Sequence, residues 1–460
     1  MSIVLTRRKA LIGGGVVAAV SGTAGVGFLM TSEPPLAPGP FAPEALQNDL
    51  KIWQQALLQR HPRWHGHSHL DDATETAFQA VAASITEPLS RQDAFRAFGK
   101  MNPYFRDAHT LLMPSLTGGG PYDDIDKQFP FGVDVKANGS FSLRSSWTHE
   151  DGEYPPLKSG TEILAINGVD ASQILERIKP YSHGETEILR GYILSLLLPQ
   201  WLDCVLGWRD RFSIVLREGN TTRQIKWKSG EHWEADDAKT RYAPTISWPV
   251  AGTALLRVPT FDVDDDPTLF EKQIADCFAE LNKRGADKLV IDIRNNTGGQ
   301  SDAGAYIIRH LIDKPVTQVS RAREKLNEDN NGIFGWYGEP GTLREFDMDE
   351  EQIEPVSSDQ RFNGQSYVWI DELSYSASIL FATAMQDHGI AKLIGTPTGG
   401  FANQTGNMMP TRLPTTGFNA YIATREFLRP NGDTHVGPVV PDILQAKGES
   451  DAAFLTGVLS

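Results

Sequence analysis

The chain has 460 residues and a formal net charge of -15 at pH 7, with 40% hydrophobic and 22% charged residues. This composition is ordinary for a soluble globular protein, and the length predicts two or three folded units rather than one. The acidic balance argues against a nucleic-acid-binding protein, because neutralising phosphates requires a basic surface. The two cysteines, Cys204 and Cys277, lie in apolar helical contexts and are expected to be free thiols.

The first 32 residues are predicted to be an export signal rather than part of a fold. Thr6-Arg7-Arg8-Lys9 precedes an uncharged, Gly- and Ala-rich stretch, which is the layout of a twin-arginine signal. A membrane anchor is the alternative, since about 20 apolar residues can span a bilayer. Contact with a membrane is expected only through this segment. Residues 33–43 carry five prolines and predict a stiff, extended linker.

Three regions follow the linker. Residues 44–115 predict an N-terminal helical domain, because apolar residues recur there at helical spacing. Residues 121–235 alternate short strands and turns, among them Asn138-Gly139, and predict a β-rich domain with one helical stretch over 192–208. Residues 245–446 alternate strands with helices, which is the pattern of an α/β core with buried parallel strands.

Two segments of the predicted α/β core carry the groups that acyl transfer requires. Residues 289–299 (LVIDIRNNTGG) form a buried strand that ends in a glycine loop, whose amides can approach a ligand closely. Residues 371–400 turn from a strand into a helix whose first turn holds Ser376, where unpaired N–H groups favour negative charge. Taken alone, the serine would be interpreted as a helix cap, and the glycines would be interpreted as a turn. Together they predict a nucleophile and an oxyanion-binding loop.

These two segments resemble the core motifs of the C-terminal-processing, or tail-specific, serine proteases, a family that includes tricorn protease. The resemblance implies an α/β fold with a crotonase-like (ClpP/crotonase) protease core. The family's nucleophile is the first serine of a Ser-Ala-Ser motif, which corresponds to Ser376. Its oxyanion hole uses the amide after the nucleophile, here Ala377, and an amide of the glycine loop, here Gly298 or Gly299.

Residues 157–175 are similar to the carboxylate-proximal half of a PDZ domain, so the β-rich region 121–235 is expected to be PDZ-like. The family implies peptides or unfolded protein segments as substrates, and neither a metal nor a cofactor. A tract of alternating histidines over residues 61–69 invites a zinc-binding interpretation and hence a metal-dependent hydrolase. Its spacing matches no closed structural zinc site, which disfavours that alternative.

The general base is where the sequence departs from the bacterial members of the family. Those proteases use a lysine 25 residues after the serine, and the aligned position here is Phe401. The sequence Asp107-Ala108-His109-Thr110 instead resembles the motif of the tricorn-like branch, in which the histidine is the base. His109 is therefore predicted to accept the serine proton. An ordinary histidine would give an activity limb near the reference pKa of about 6.5.

The sequence therefore predicts an exported serine endopeptidase of the periplasm or cell envelope that works through an acyl-enzyme. The residue that orients the base stays open: Asp433 and Glu426 are acidic candidates, and His435 holds the position closest to the family pattern. The absent lysine and the unassigned acid leave one alternative, a non-catalytic cell-envelope protein that binds ligands or peptides on the same fold. The sequence does not define the oligomeric state.

Overall fold

The computed structural model describes residues 39–116, 125–136, 139–236, 242–263, 266–327, 330–331, 338–347 and 352–459. The predicted export signal, most of the predicted linker and Asn138 of the predicted hairpin lie outside these ranges. The helices are α1 (Pro43–Arg60), α2 (Asp72–Ser84), α3 (Arg91–Phe98), α4 (Asn102–Phe105), α5 (Ala171–Ile178), α6 (Glu187–Leu196), α7 (Leu198–Cys204), α8 (Pro267–Arg284), α9 (Ser301–Ile308), α10 (Ala377–Asp387) and α11 (Asp451–Leu459).

The strands are β1 (Leu111–Leu112), β2 (Val133–Val135), β3 (Phe141–Leu143), β4 (Trp147–His149), β5 (Glu162–Ile166), β6 (Val169–Asp170), β7 (Arg211–Glu218), β8 (Thr221–Lys228), β9 (Trp233–Ala235), β10 (Thr245–Val250), β11 (Thr253–Arg257), β12 (Lys288–Asp292), β13 (Arg321–Lys325), β14 (Leu343–Asp347), β15 (Gln365–Ile370), β16 (Lys392–Gly395), β17 (Gln404–Arg412), β18 (Asn419–Leu428) and β19 (Ile443–Leu444). The protein is thus a mixed α/β structure, as the sequence predicts. Among the described residues, no helix is long and apolar enough to cross a membrane.

Helices α1 to α4 pack around buried aromatic side chains. The Trp53 ring of α1 meets Phe78 and Phe105 edge-on, with ring centroids 5.5 and 5.3 Å apart, a geometry that aromatic pairs favour. Helix α4 is followed by its C-cap residue Arg106, which adopts a left-handed conformation with φ 50°. This turn directs the chain through residues 107–110 into the short strand β1.

An antiparallel sheet follows, in the order β2-β3-β5-β7-β8, with β6 paired to β5. A separate two-stranded ribbon is formed by β4 and β9. The predicted helix over 192–208 is wrong in its extent, since the structure has two helices, α6 and α7, that meet at Leu197. Pro199 lies in the first turn of α7, where its missing N–H is tolerated but where it could not continue α6.

The central sheet has the order β10-β11-β12-β15-β16-β19, and its strands from β11 onward are parallel. One face packs in the main core with α8 and α10, through residues such as Ile291 and Val368. The opposite face is covered by α11, where Phe454 packs in a cluster with Val290 and Trp369. Both faces of β12 and β15 are therefore buried, which explains their continuous apolar sequences.

The third sheet joins the N-terminal helices to the rest of the chain. Strand β18 pairs with β17 along one side and with β13 and β1 along the other, and β14 pairs with β13. The buried carboxylate of Asp49 in α1 also accepts the backbone N–H groups of Thr415 and Thr416, at 3.0 and 2.9 Å. These contacts fix α1 and β1 against the third sheet.

Both cysteines are free, which confirms the prediction of thiols rather than a disulfide. Cys204 is buried at the end of α7, whereas Cys277 in α8 is only partly buried. Burial raises the pKa of the Cys204 thiol well above its usual value and that of Cys277 to about 11. Both groups are therefore protonated and unreactive at neutral pH.

Candidate active site

The turn after β15 holds Ser376 in a strained conformation at the start of α10. Its φ is 56° and its ψ is -122°, a region that non-glycine residues avoid and that costs about 1–3 kcal/mol. Hydrogen bonds hold the turn on both sides: the Tyr375 N–H donates to the Asn296 carbonyl at 3.0 Å, and Gln404 Nε2 donates to the Ser376 carbonyl at 2.8 Å. The serine side chain does not cap α10, so helix initiation does not explain its presence.

The imidazole of His109 lies directly beside this serine. His109 Nε2 is 3.2 Å from Ser376 Oγ, and the histidine is fully buried. On the other side of the ring, Nδ1 is 3.0 Å from the Tyr375 hydroxyl, which donates to Glu185 Oε1 at 2.9 Å. Because that donation uses the only hydroxyl proton of Tyr375, its oxygen accepts a proton from Nδ1. We infer from this network that Nε2 is unprotonated and faces the serine.

Asp107 is a buried carboxylate next to the histidine. Its Oδ2 lies 2.9 Å from His61 Nε2 and accepts the Thr110 hydroxyl at 2.9 Å. Its Oδ1 accepts the Thr405 hydroxyl at 2.7 Å and the His109 backbone N–H at 2.8 Å, and it lies 3.8 Å from His109 Nδ1. Burial alone would raise the pKa of Asp107, but the hydrogen bond with His61 and the neighbouring histidines hold it well below its usual range.

Burial also sets the protonation of the surrounding groups. It lowers the pKa of His109 to about 4, against the opposing charge of Asp107. It raises the pKa of Glu185 to about 8, with a further increase from the charge of Asp107. Glu185 as a residue is partly exposed, but its Oε2 atom is enclosed. Burial lowers the pKa of His183 to about 3. Of these four groups, only Asp107 is therefore charged at neutral pH.

The loop after β12 places two glycines against the serine turn. Gly298 has φ 98°, and a Cβ there would lie 2.8 Å from the Ser376 Cβ; Gly299 has φ 135°, and a Cβ there would lie 2.1 Å from neighbouring backbone. The Gly298 N–H donates to Asn296 Oδ1 at 2.9 Å. Within the described residues, the N–H groups of Gly299 and Ala377 make no hydrogen bond, and both residues line a cavity beside Ser376. These two amides can therefore stabilise an oxyanion there.

The three residues predicted to orient the base lie elsewhere. Glu426 in β18 forms an ion pair with an arginine of β13 at 3.4 Å. Asp433 and His435 are exposed in the loop after β18, where Asp433 Oδ1 accepts the His435 N–H at 2.9 Å. None of the three has a contact with His109 among the described residues. The Nδ1 side of His109 faces the Tyr375 hydroxyl instead.

Three other polar residues in or next to α10 have surroundings different from those of Ser376. Ser374 donates its hydroxyl to the Ile293 carbonyl at 2.9 Å and so ties the serine turn to the end of β12. Ser378 is fully buried, and its Oγ has no hydrogen-bond partner in the described structure. His388 lies after the opposite end of the helix, where its Nε2 is 2.8 Å from the Thr317 carbonyl. The structure thus brings Ser376, rather than Ser374 or Ser378, to the histidine.

One group of side chains has a geometry that could hold a metal ion. Asp107, His109 and Glu185 each offer a ligand atom, and these atoms all lie within 4.8 Å of one another. The Tyr375 hydroxyl, however, already bridges His109 and Glu185 by hydrogen bonds. In the histidine tract over 61–69, His61 is buried against Asp107 whereas the histidines at 65, 67 and 69 are exposed, so the tract does not converge on one point.

The structure brings together the serine, the histidine and the glycine loop that the sequence predicts, and it adds several groups that the sequence prediction does not include. Glu185 lies in the predicted β-rich region, outside the predicted protease core. Tyr375 lies in the predicted turn before Ser376, and nothing in the sequence distinguishes it from an ordinary turn residue. Asn296 and Gln404 fix the backbone through side-chain amides. Of these groups, only Asn296 could have been predicted locally, because asparagine side chains in loops often form hydrogen bonds with nearby backbone groups.

Comparisons with known proteins agree with this geometry. Residues 252–445 match the profile of Peptidase family S41. The chain is 30% identical over 322 residues to a carboxyl-terminal-processing protease of Picosynechococcus sp., with 69% of this chain and 65% of the relative covered. It is 21% identical over 369 residues to the carboxy-terminal processing protease CtpB of Bacillus subtilis, with 79% and 65% covered. The chain therefore spans less than two thirds of the length of these relatives.

The crystal structure of mature CPAF is similar to this fold, with a TM-score of 0.61 at 15% sequence identity over 87% of this chain and 92% of CPAF. Mature CPAF complexed with lactacystin gives a TM-score of 0.60 at 15% identity, over 87% and 93%. The likeness to these structures shows the shared fold. The relatives found by sequence are named as carboxyl-terminal-processing proteases. Residues 252–445 are thus similar to peptidase family S41, in support of the family resemblance of the core motifs.

Proposed function

We propose that the protein is a serine endopeptidase that cleaves peptides or unstructured protein segments through an acyl-enzyme. Ser376 Oγ attacks the scissile carbonyl carbon while its proton passes to His109 Nε2, 3.2 Å away. The protonated histidine then gives this proton to the leaving amine. A water molecule, deprotonated by the same nitrogen, hydrolyses the ester and restores the serine. The single observation that carries the proposal is the buried pairing of His109 with a serine in a strained turn.

The oxyanion formed in both steps would accept hydrogen bonds from the backbone amides of Gly299 and Ala377. The amide of Gly298 is less suitable, because it already donates to Asn296 Oδ1. The position of Ala377 as the first residue of α10 adds the partial positive charge of a helix N-terminus. Fixed donors of this kind stabilise negative charge without reorganisation during the reaction.

Orientation of the base is assigned to Tyr375 and Glu185, which act through His109 and are positioning residues. The Tyr375 hydroxyl accepts from Nδ1 and so keeps the proton off Nε2. When His109 becomes positively charged, the carboxylate of Asp107, 3.8 Å from Nδ1, stabilises that charge. The arrangement differs from a direct carboxylate–histidine contact because a neutral hydroxyl lies between Glu185 and the imidazole.

The regional assignments complete the proposal. Residues 245–446 would form the crotonase-like protease core, residues 44–115 the N-terminal helical domain and residues 121–235 the PDZ-like domain. Support for the last comes from residues 162–178, which run from β5 through the Asn167-Gly168 turn and β6 into α5. The paired arginines near the N-terminus support export to the periplasm or cell envelope.

A fluorophosphonate probe, which reacts covalently with activated serines, tests the proposal directly. Mass spectrometry should locate the label on Ser376, and Ser376→Ala should remove both labelling and cleavage of an unstructured peptide. Ser378→Ala is the matched control, since it deletes a buried hydroxyl two residues away. Retention of peptide cleavage by a folded Ser376→Ala protein would contradict the proposal. The absence of labelling and cleavage in the intact protein would favour a binding protein on the same fold.

A further inference from the structure

The histidine tract over 61–69 contains one residue that the proposed reaction does not yet use. His61 is only 2% exposed, whereas the other three histidines of the tract are exposed. It lies between α1 and a short 3₁₀ helix (Pro62–Trp64), and its ring packs against that of Trp64, with centroids 4.8 Å apart. Its Nε2 is 2.9 Å from Asp107 Oδ2. The first histidine of the tract thus contacts the carboxylate that lies beside the proposed base.

The other nitrogen of the His61 ring fixes the direction of this hydrogen bond. His61 Nδ1 accepts the backbone N–H of Arg63 at 3.1 Å. Because a nitrogen that accepts carries no proton, the proton of the neutral ring lies on Nε2. An ionised carboxylate can only accept, so His61 donates to Asp107. The guanidinium of the same Arg63 donates to the Phe105 carbonyl at 2.8 Å, which ties this turn to the segment just before Asp107.

A buried lysine holds the turn that carries His61. The Lys325 ammonium of β13 donates to the Leu58 carbonyl and to the Trp64 carbonyl, the latter at 3.2 Å, so its contacts lie on both sides of His61. Lys325 is only 4% exposed, and burial lowers its pKa without an opposing effect from a carboxylate among the described residues. A buried ammonium without a carboxylate is destabilising. Its two carbonyl contacts instead secure the position of His61.

The two oxygens of Asp107 have separate surroundings. Oδ2 accepts from His61 and from the Thr110 hydroxyl, whereas Oδ1 accepts from the Thr405 hydroxyl and lies 3.8 Å from His109 Nδ1. Burial raises the pKa of Asp107, and the hydrogen bond from His61 is the foremost effect that lowers it. Without that donor the carboxyl group would protonate more readily. A neutral carboxyl group cannot stabilise the imidazolium that forms when His109 takes the serine proton.

We propose that His61 is a positioning residue for the base and acts through Asp107, by keeping one carboxylate oxygen directed at His109. The inference rests on the proposed peptidase function and extends the working site to the turn after α1. His61, Asp107 and His109 would act in series, with 2.9 Å between the first two and 3.8 Å between the last two. Of these three, only His109 would touch the reacting atoms.

Two substitutions of similar size separate the hydrogen bond from the packing of the ring. His61→Gln keeps an N–H donor, whereas His61→Met fills similar space without one. In cleavage of an unstructured peptide, His61→Met should lower kcat about tenfold or more with little change in KM, and His61→Gln should keep most of the activity. His310→Met is the matched control, since His310 is also buried, lies 3.1 Å from a carbonyl and stacks on Phe278. Wild-type kcat in a folded His61→Met protein, or a loss as large in His61→Gln, would overturn the proposal.

The pH dependence of kcat/KM gives a readout that a mere packing defect would not move. The titratable groups that interact with Asp107 are His61, His109, His183 and Glu185. Loss of the His61 donor raises the pKa of Asp107, so the acid limb should move to higher pH in His61→Met. It should stay in place in His61→Gln and in the control variant. An acid limb at the wild-type position in His61→Met would contradict a role through Asp107.

Nuclear magnetic resonance of isotope-labelled histidine in the intact protein separates this inference from the proposed catalysis and requires no folded His61→Met. The spectra report which ring nitrogen carries the proton, and His61→Gln assigns the His61 signals. We expect the proton of neutral His61 on Nε2. A proton on Nδ1 would refute the positioning role even if the protein cleaves peptides. Absence of both cleavage and fluorophosphonate labelling in the intact protein would overturn the peptidase function, whereas unchanged kcat in His61→Met would overturn only the role of His61.

Discussion

Replacing Tyr375 with phenylalanine tests how the base is oriented. The substitution removes one hydroxyl and keeps the ring that stacks on His109, with centroids 5.1 Å apart. It deletes two hydrogen bonds at once, of 3.0 Å to His109 Nδ1 and of 2.9 Å to Glu185 Oε1. The Asp107 Oδ1 atom is 3.8 Å from Nδ1, which is too far for a hydrogen bond.

The size of the effect follows from this geometry. A buried N–H group left without an acceptor costs about 1–3 kcal/mol. The imidazole can avoid this penalty by carrying its proton on Nε2, where the Ser376 hydroxyl can accept it. That tautomer cannot act as the base. Because about 1.4 kcal/mol corresponds to a factor of ten, Tyr375→Phe should lower kcat by roughly 10- to 100-fold. KM should change little, because the hydroxyl lies behind the imidazole.

The assay is kcat and KM for an unstructured peptide, measured with denaturant unfolding of the same preparations. Tyr181→Phe is the matched control, since Tyr181 is also a buried tyrosine but lies just after α5 and stacks on Phe95 of α3. It should leave kcat close to that of the wild type. Wild-type kcat in Tyr375→Phe would refute the proposed orientation. A loss of kcat no greater than in Tyr181→Phe would refute it equally.

Three further predictions concern the protonation and the backbone of the site. Because burial lowers the pKa of His109 to about 4, kcat/KM should rise with pH through that region, and a limb at the ordinary value of about 6.5 would contradict this environment. The folded state keeps the Glu185 proton up to a pKa of about 8, whereas the unfolded chain loses it near 4.5. Stability from this group is therefore present below pH 4.5 and is lost as pH rises through 8, and Glu185→Gln should flatten that decline in urea unfolding at pH 6 and 9. Gly299→Ala should lower the unfolding temperature far more than Gly230→Ala, because a Cβ at 299 would overlap Phe261 whereas the one at 230, also at positive φ, meets nothing within 4 Å.

Local sequence patterns predict the parts of the site that lie within one element. The strand and glycine loop after residue 288 and the helix after Ser376 follow from apolar patterns and glycine positions. The prediction failed at groups joined across long chain separations. Glu185 reaches the site from 190 residues before Tyr375, and no local pattern indicates that contact. Glu426 and Asp433 became candidates because they are acidic and lie late in the chain. Chain order does not determine the direction in which a side chain points.

The segment that matches the family profile, residues 252–445, contains the serine and both amides but not the histidine. His109 lies just before β1, which pairs with β18 through only two residues, Leu111 and Leu112. The proposed chemistry therefore depends on the association of two separate parts of one chain. A proteolytic cut before residue 111, or a local separation of β1 from β18, would remove the proposed base from Ser376 without changing the serine itself. An isolated 252–445 fragment would contain the proposed nucleophile but not the proposed base.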